Sequence, residues 1–192
     1  GVEAAWAAAN AGGEVALVTL DPSKIGVMSC NPAIGGLAKG QMVREVDALG
    51  GLMGLATDAT GIMFTTLNMS KGPAVRGPRA QCDKHAYAEE VQRLIASRLN
   101  LRVIAGAAEG FIVERGRIAG LVVSRAGGGA VELRAPAVVL TTGTFMRGLM
   151  HTGEEQRASG RDGEASAVGV SGALRELGFE LGRLKTGTPP RL

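Results

Sequence analysis

Apolar positions along the chain alternate between a helical period and short runs, and that alternation gives the order of the elements. Residues 1–10, GVEAAWAAAN, are alanine-rich and followed by Gly12 and Gly13, which predicts a helix with a glycine stop. Residues 14–20, EVALVTL, predict a buried strand. Residues 41–49 set Met42, Val43, Val46 and Leu49 on one helical face, with Arg44, Glu45 and Asp47 on the other. A short helix over 52–56 and a strand over 62–67 follow. Residues 83–99 predict a helix capped by Asp83, with Tyr87, Val91, Leu94 and Ile95 turned inward.

Short strands over 101–105, 110–114, 118–123, 131–133 and 137–140 come next, separated by turns such as Gly127-Gly128-Gly129. They predict a small antiparallel layer and then a return to a parallel sheet, with residues 137–145, AVVLTTGTF, a buried strand ending in Thr142-Gly143-Thr144. Residues 151–163 read as a polar loop, and 171–177 as a short helix closed by Gly178.

A helix running into a strand calls for a strand before it, as in the dinucleotide-binding α/β fold. There the first strand ends in GxGxxG, whose last glycine lets the helix pack on the sheet. Gly1 fits that last glycine. The expectation is an α/β domain over 1–192 that opens inside the fingerprint, its first strand lying upstream. Asp21 sits near the point where such folds place an acidic residue on the ribose, but Asp21-Pro22 is equally plain turn chemistry.

The chemistry concentrates in residues 26–51, GVMSCNPAIGGLAKGQMVREVDALGG. Cys30 lies between Ser29 and Asn31, Pro32 stops a helix there, and Gly35, Gly36 and Gly40 supply turns. A free thiol ionises near pH ~8.5 and becomes nucleophilic when cations or helix amides lower that value; Lys39 and a helical pattern follow. Cys30 is the candidate catalytic atom, although a lone cysteine is also a small buried hydrophobe. A second informative stretch, residues 68–84, carries Lys71, Arg76, Arg79 and Lys84 between the breakers Gly72-Pro73 and Gly77-Pro78, and predicts an irregular basic loop. Cys82 has no motif around it and reads as structural, and His85 as a surface residue.

Composition changes the picture little. The 192 residues are 45% hydrophobic but only 3% aromatic, with 30 glycines, so the core is aliphatic and the turns are many. A net charge of +3 is compatible with an RNA partner without arguing for one. Two cysteines in unrelated settings give neither a CxxC pair nor a disulfide framework, which points to a reducing, cytoplasmic compartment. No apolar run is long enough to span a bilayer, and His151 has no second ligand at a metal-binding spacing.

SCNPAIGG, then KG and EVDALGG, then KGPAVR and PRAQ, and finally GRLKTGTPPR together resemble the MnmG (GidA) family of flavoproteins, in family order. The resemblance implies an FAD-binding, glutathione-reductase-like Rossmann domain with a small antiparallel insertion. It implies addition of a carboxymethylaminomethyl group to C5 of the wobble uridine of tRNA. NADH would recharge the flavin and methylenetetrahydrofolate would give the one-carbon unit. The GTPase MnmE would be the partner, with a homodimer inside a heterotetramer. It also implies that the second catalytic cysteine, the nicotinamide-binding insertion and a helical carboxy-terminal domain lie beyond Leu192.

Residue by residue, the resemblance implies cofactor contacts for Gly1, Ser29 and Asn31, and tRNA or flavin contacts for Lys71, Arg76 and Arg79. Flavoproteins of the glutathione-reductase type place a loop like that around Ala107 and Ala108 against adenine, and a turn like Thr142-Gly143-Thr144 against phosphate and ribose. The alternatives are a folate- and FAD-dependent tRNA uridine-5 methyltransferase and a non-catalytic flavin- or RNA-binding module. A pyridine-nucleotide disulfide reductase needs a CxxxxC pair that is absent around Cys30.

Overall fold

The structure, a computed structural model, describes residues 1–28, 31–125, 127–161, 164–185 and 187. It divides into two units, residues 1–106 with 139–141, and residues 107–138 with 142–192.

In the first unit, helix α1 (Val2–Asn10) buries Ala5, Trp6 and Ala9. The Trp6 indole N–H donates to the Gly50 carbonyl at 2.9 Å, and the Arg98 guanidinium lies 4.1 Å above the ring. Asn100 closes the following turn by donating to the carbonyls of Ala9 and Gly13, each at 2.8 Å. Strand β1 (Val15–Thr19) then pairs in parallel with β5 (Leu101–Ala105), from Val15 opposite Leu101 to Thr19 opposite Ala105.

Between them come β2 (Ala33–Gly35), α2 (Lys39–Ala48), α3 (Leu52–Thr60), β3 (Gly61–Leu67), β4 (Gly77–Cys82) and α4 (Lys84–Ala96). The three strands form an antiparallel sheet with β4 in the middle. Helix α3 starts at Gly51, which has no side chain to cap it, and the carboxylate of Glu3 on α1 does so instead. It accepts from the Leu52 amide at 2.9 Å and the Met53 amide at 2.6 Å. Asp83 caps α4 by accepting from the amides of His85 and Ala86. Leu52, Ala56, Cys82, Tyr87, Val91 and Ile95 close the core with Trp6.

In the second unit, β6 (Ala107–Glu114), β7 (Arg117–Ser124) and β8 (Ala130–Arg134) form an antiparallel sheet in that order. The β6–β7 turn is Arg115-Gly116 with φ of 52° and 74°, the left-handed pair a tight hairpin requires. Helix α5 (Gly169–Glu176) rests on β6, where a Cβ at Gly169 would lie 2.6 Å from the Glu109 Cα.

Most predicted elements are present, α3 longer than expected and the antiparallel layer as expected. Several readings are corrected. Residues 137–145 are not a strand: 137–142 carry no ladder and Val139 is 70% exposed, because no neighbouring strand among the described residues takes up their backbone groups. Residues 77–82, assigned to an irregular loop, are the central strand β4; the Pro78 carbonyl accepts from the amide of Gly36, just past the end of β2, at 2.9 Å, so the proline sits where that strand has already ended. Residues 151–163 contain a hairpin, β9 (Leu149–Thr152) with β10 (Glu155–Ala158). The α2 face is less buried than its pattern suggests, with Met42 63% and Leu49 89% exposed. Gly40 is not a turn residue but lies within α2, buried, where a Cβ would sit 2.5 Å from the Pro78 carbonyl oxygen.

Candidate functional site

The stretch that holds Cys30 is anchored on both sides. Before it, Gln92 on α4 donates to the carbonyls of Ile25 at 3.0 Å and Ser23 at 3.2 Å. Gly26 packs against the same helix with φ of 79°, and a Cβ there would be 2.9 Å from that of Val91. After it, the Pro32 carbonyl accepts from the Cys82 amide at 2.7 Å, and Ala33 to Gly35 pair with Gln81 to Arg79. Ser29 and Cys30 themselves lie outside the described residues.

Strand alternation assigns the faces of the sheet. Ala80 and Cys82 are buried, and Cys82 meets the hydroxyls of Thr57 and Thr60 on α3, so that face is covered by helices. Arg79 and Gln81 take the other face. Opposite them across β3 stand the exposed Thr65 and Met63, and opposite Arg79 on β2 stands Gly35, which has no side chain. Glycine is needed there, since a Cβ would lie 2.2 Å from the Pro78 carbonyl oxygen. The Gln81 Nε2 donates to the Asn31 Oδ1 at 3.1 Å, tying the residue after Cys30 to the middle strand. The result is a polar face with a cation, two carboxamides and a hydroxyl beside the thiol-bearing stretch. On the covered side a cavity of ≈ 420 Å³ opens between α2, α3 and the sheet, lined by Val43, Arg44, Asp47, Asp58 and Phe64 among others.

The three predicted basic residues have different settings. Lys71 ends a 3-10 turn, Met69–Lys71, and is exposed. Arg76 donates to the Met69 carbonyl at 3.2 Å, and Asn68 donates to the Val75 carbonyl at 3.2 Å, so Arg76 helps hold its own loop in shape. Arg79 stands on β4. Gly1 is the exposed N-cap of α1, where a Cβ would lie 3.3 Å from the Thr141 Oγ1.

In the second unit, Ala107 and Ala108 are strand rather than loop residues, opposite Ser124 and Val123 at the start of β6, after a bend at Gly106. Thr142-Gly143-Thr144 form a turn, with Gly143 at φ of 57° and the Thr144 hydroxyl donating to the Gly160 carbonyl at 2.6 Å. The first unit thus brings Asn31 to Gln81, two residues from Arg79 on the same strand, and the second holds the other two backbone segments. Gln81 was missed by the sequence reading. Its spacing of two from Arg79 marks a shared strand face, a signal hidden once 68–84 are read as loop.

Burial pushes the Cys82 thiol up, more than its hydroxyl neighbours lower it, so this sulfur stays protonated and inert. Among the described residues no group of three or more His, Cys, Asp and Glu is placed to hold a metal, and no helix is long and apolar enough to cross a membrane.

The sequence model described as "Glucose inhibited division protein A" matches residues 1–192. The tRNA uridine 5-carboxymethylaminomethyl modification enzyme MnmG of Rhodopirellula baltica is 53% identical over 199 residues, covering 100% of this chain and 30% of the relative. The MnmG of Salinibacter ruber is 52% identical over 193 residues, with coverages of 100% and 29%. Aquifex aeolicus GidA in its form II crystal superposes with a TM-score of 0.92 at 46% identity, over 98% of this chain and 31% of that one. The GidA-related protein of Thermus thermophilus has a TM-score of 0.61 at 20% identity over 94% of this chain and 64% of that one, a likeness of fold alone. The chain spans about 30% of the length of the curated relatives it matches.

Proposed function

The chain belongs to the glucose inhibited division protein A family, and from that premise we propose that it is the flavin-binding part of an enzyme that adds a carboxymethylaminomethyl group to C5 of the wobble uridine of tRNA. The observation that carries the reading is the double anchoring of the Cys30 stretch, on α4 before it and on β4 after it, beside an open polar face that carries Arg79. The residues on either side of Ser29 and Cys30 are held in this way, which suits a stretch that presents a reactive group.

FAD fits the residues present on the chemistry of the donor set. A carboxamide pair offers both a donor and an acceptor to a flavin edge, and the uncapped N-terminus of α1 at Gly1 offers amides to an anionic group. The proposed contacts are Gly1, Ser29 and Asn31 of the first unit; for the backbone at Ala107, Ala108 and Thr142-Gly143-Thr144 of the second unit the proposal rests on the resemblance to other flavoproteins alone. When bound, FAD supplies the redox chemistry of the one-carbon transfer.

In this reading the Cys30 thiolate adds to C6 of the uracil ring. An S–C6 bond forms and the C5=C6 pair moves onto C5 and O4 as an enolate, which the guanidinium of Arg79 favours. C5 then bonds to the incoming one-carbon electrophile, which carries the nitrogen of glycine, the C5 proton leaves, and the S–C6 bond breaks to return the thiolate. Lys71 holds a tRNA phosphate, presented by the loop that Arg76 shapes, while Arg79 contacts the tRNA at the uracil ring. NADH as reductant, methylenetetrahydrofolate as one-carbon donor, MnmE as partner, a homodimer within a heterotetramer and a cytoplasmic setting complete the proposal.

The test is to delete the gene for the full-length protein, measure wobble-uridine nucleosides in bulk tRNA, and restore the gene. The purified full-length protein is denatured to release its flavin. Loss and recovery of the modified nucleoside with stoichiometric FAD is the expected result; unchanged nucleosides would refute the proposal.

A further inference from the structure

The bond between the Gln81 and Asn31 side chains leaves a specific remainder. A carboxamide carries one carbonyl and one NH2 group. In the pair, the Gln81 NH2 donates to the Asn31 carbonyl at 3.1 Å, which frees the Gln81 carbonyl as an acceptor and the Asn31 NH2 as donors. Turning both carboxamides over exchanges the roles but leaves the same remainder, one acceptor beside one donor. Gln81 is half-buried and Asn31 exposed, so the free groups face outward from the sheet.

The pair is also fixed. Gln81 is on the middle strand with β2 and β3 on its flanks, and the Pro32 carbonyl next to Asn31 is held by the Cys82 amide at 2.7 Å. Arg79 lies two residues along the same face, about 7 Å away at strand spacing. No ion pair or hydrogen bond of its side chain appears among the described residues.

We propose that Gln81 and Asn31 form a recognition site for the edge of a cyclic imide, a ring N–H flanked by carbonyls. The imide N–H meets the carboxamide carbonyl and an imide carbonyl meets the NH2. Arg79 is placed to favour negative charge that develops on the ring. Two ligands of the proposed function carry this edge, the uracil of the tRNA and the pyrimidine ring of the flavin, so the inference rests on that reading. A phosphate or a carboxylate would use the donor and leave the acceptor unpaired, which the donor–acceptor pair disfavours.

The experiment measures binding to the full-length enzyme, independently of turnover. Affinities are compared for FAD against N3-methyl-FAD with the apoenzyme, and for an anticodon stem-loop with uridine against 3-methyluridine with the holoenzyme. N3-methylation removes the imide proton. For the ligand seated on the pair, wild type should discriminate by about tenfold or more, and Gln81→Met should reduce the ratio to near one. Discrimination lost for FAD identifies the flavin as occupant; lost for the stem-loop, the uridine. Asn31→Asp, which keeps the acceptor for Gln81 but loses the free donor, should weaken the same ligand and serves if Gln81→Met does not fold. A ratio unchanged by Gln81→Met for both ligands, or affinities for both ligands unchanged by Asn31→Asp, would overturn the proposal. Loss of activity in Cys30→Ser bears only on the proposed function and leaves this site untouched.

Discussion

Replacing Glu3 by alanine removes the side-chain cap at the start of α3. Two amides, those of Leu52 and Met53, lose acceptors held at 2.9 and 2.6 Å, and the positive end of the helix loses its carboxylate. Loss of an N-terminal cap costs about 1–2 kcal/mol and loss of the anion about 0.3–1 kcal/mol, so about 2 kcal/mol is expected, or roughly 30-fold in a local opening equilibrium. Because α1 and α3 are held together by this contact and by the Trp6 bond to Gly50, the effect should be local to both. Hydrogen exchange of the full-length protein reads it directly: peptides covering 50–60 and 2–10 should lose protection by about that factor, while those covering α4 change little. Glu3→Gln, which keeps an acceptor without the charge, should fall midway. Unchanged exchange at Leu52 and Met53 in Glu3→Ala would refute the assignment of Glu3 as the cap.

Tyr87 gives a pH dependence. Burial and the nearby Cys82 and Glu3 hold its phenol up to about 12 against the usual 10.0. The folded state therefore keeps a proton that the unfolded chain releases, so stability from this group is intact below pH 10, falls between pH 10 and 12, and then levels off. The total loss is about 3 kcal/mol at most, and denaturant melts of Tyr87→Phe should show a shallower fall over that window. Gly35→Ala should destabilise by about 3 kcal/mol or more, since φ is 88° there and the Cβ would strike the Pro78 carbonyl; a thermal midpoint within a degree of wild type would contradict this. Lys71→Ala should lower the salt dependence of tRNA binding by about one unit of slope without loosening the loop. Arg76→Ala should raise exchange across 68–76, because its guanidinium holds the Met69 carbonyl.

The sequence made the helices and most strands legible because each carries its own signal: alanine and a glycine stop for α1, the Asp83 cap and inward Tyr87, Val91 and Ile95 for α4, hairpin glycines for the β6–β7–β8 layer. What it hid depends on neighbours distant along the chain. Residues 137–142 have strand composition, but a strand exists only where another backbone pairs with it. Residues 77–82 begin with Gly77-Pro78, the same breaker pair as Gly72-Pro73, and become a strand because β2 and β3 flank them. Glu3 caps a helix 49 residues away, and Gln81 reaches back 50 residues to Asn31, with no local pattern to announce either contact. The candidate site was legible as motifs, in Cys30, Asn31 and Arg79, but its geometry was not, since two positions two apart share a face only if the segment is extended.

The central claim is that Cys30 is chemical and Cys82 is not. Cys82 is 1% exposed with its thiol held protonated by burial, whereas the Cys30 stretch is anchored on both sides beside an open polar face. The direct measurement is nucleoside analysis of tRNA from cells whose only copy of the full-length protein carries Cys30→Ser or Cys82→Ser, with flavin content of each purified protein. The prediction is no modified wobble uridine with normal flavin for Cys30→Ser, and near-normal modification for Cys82→Ser. Normal modified uridine in Cys30→Ser would contradict the account.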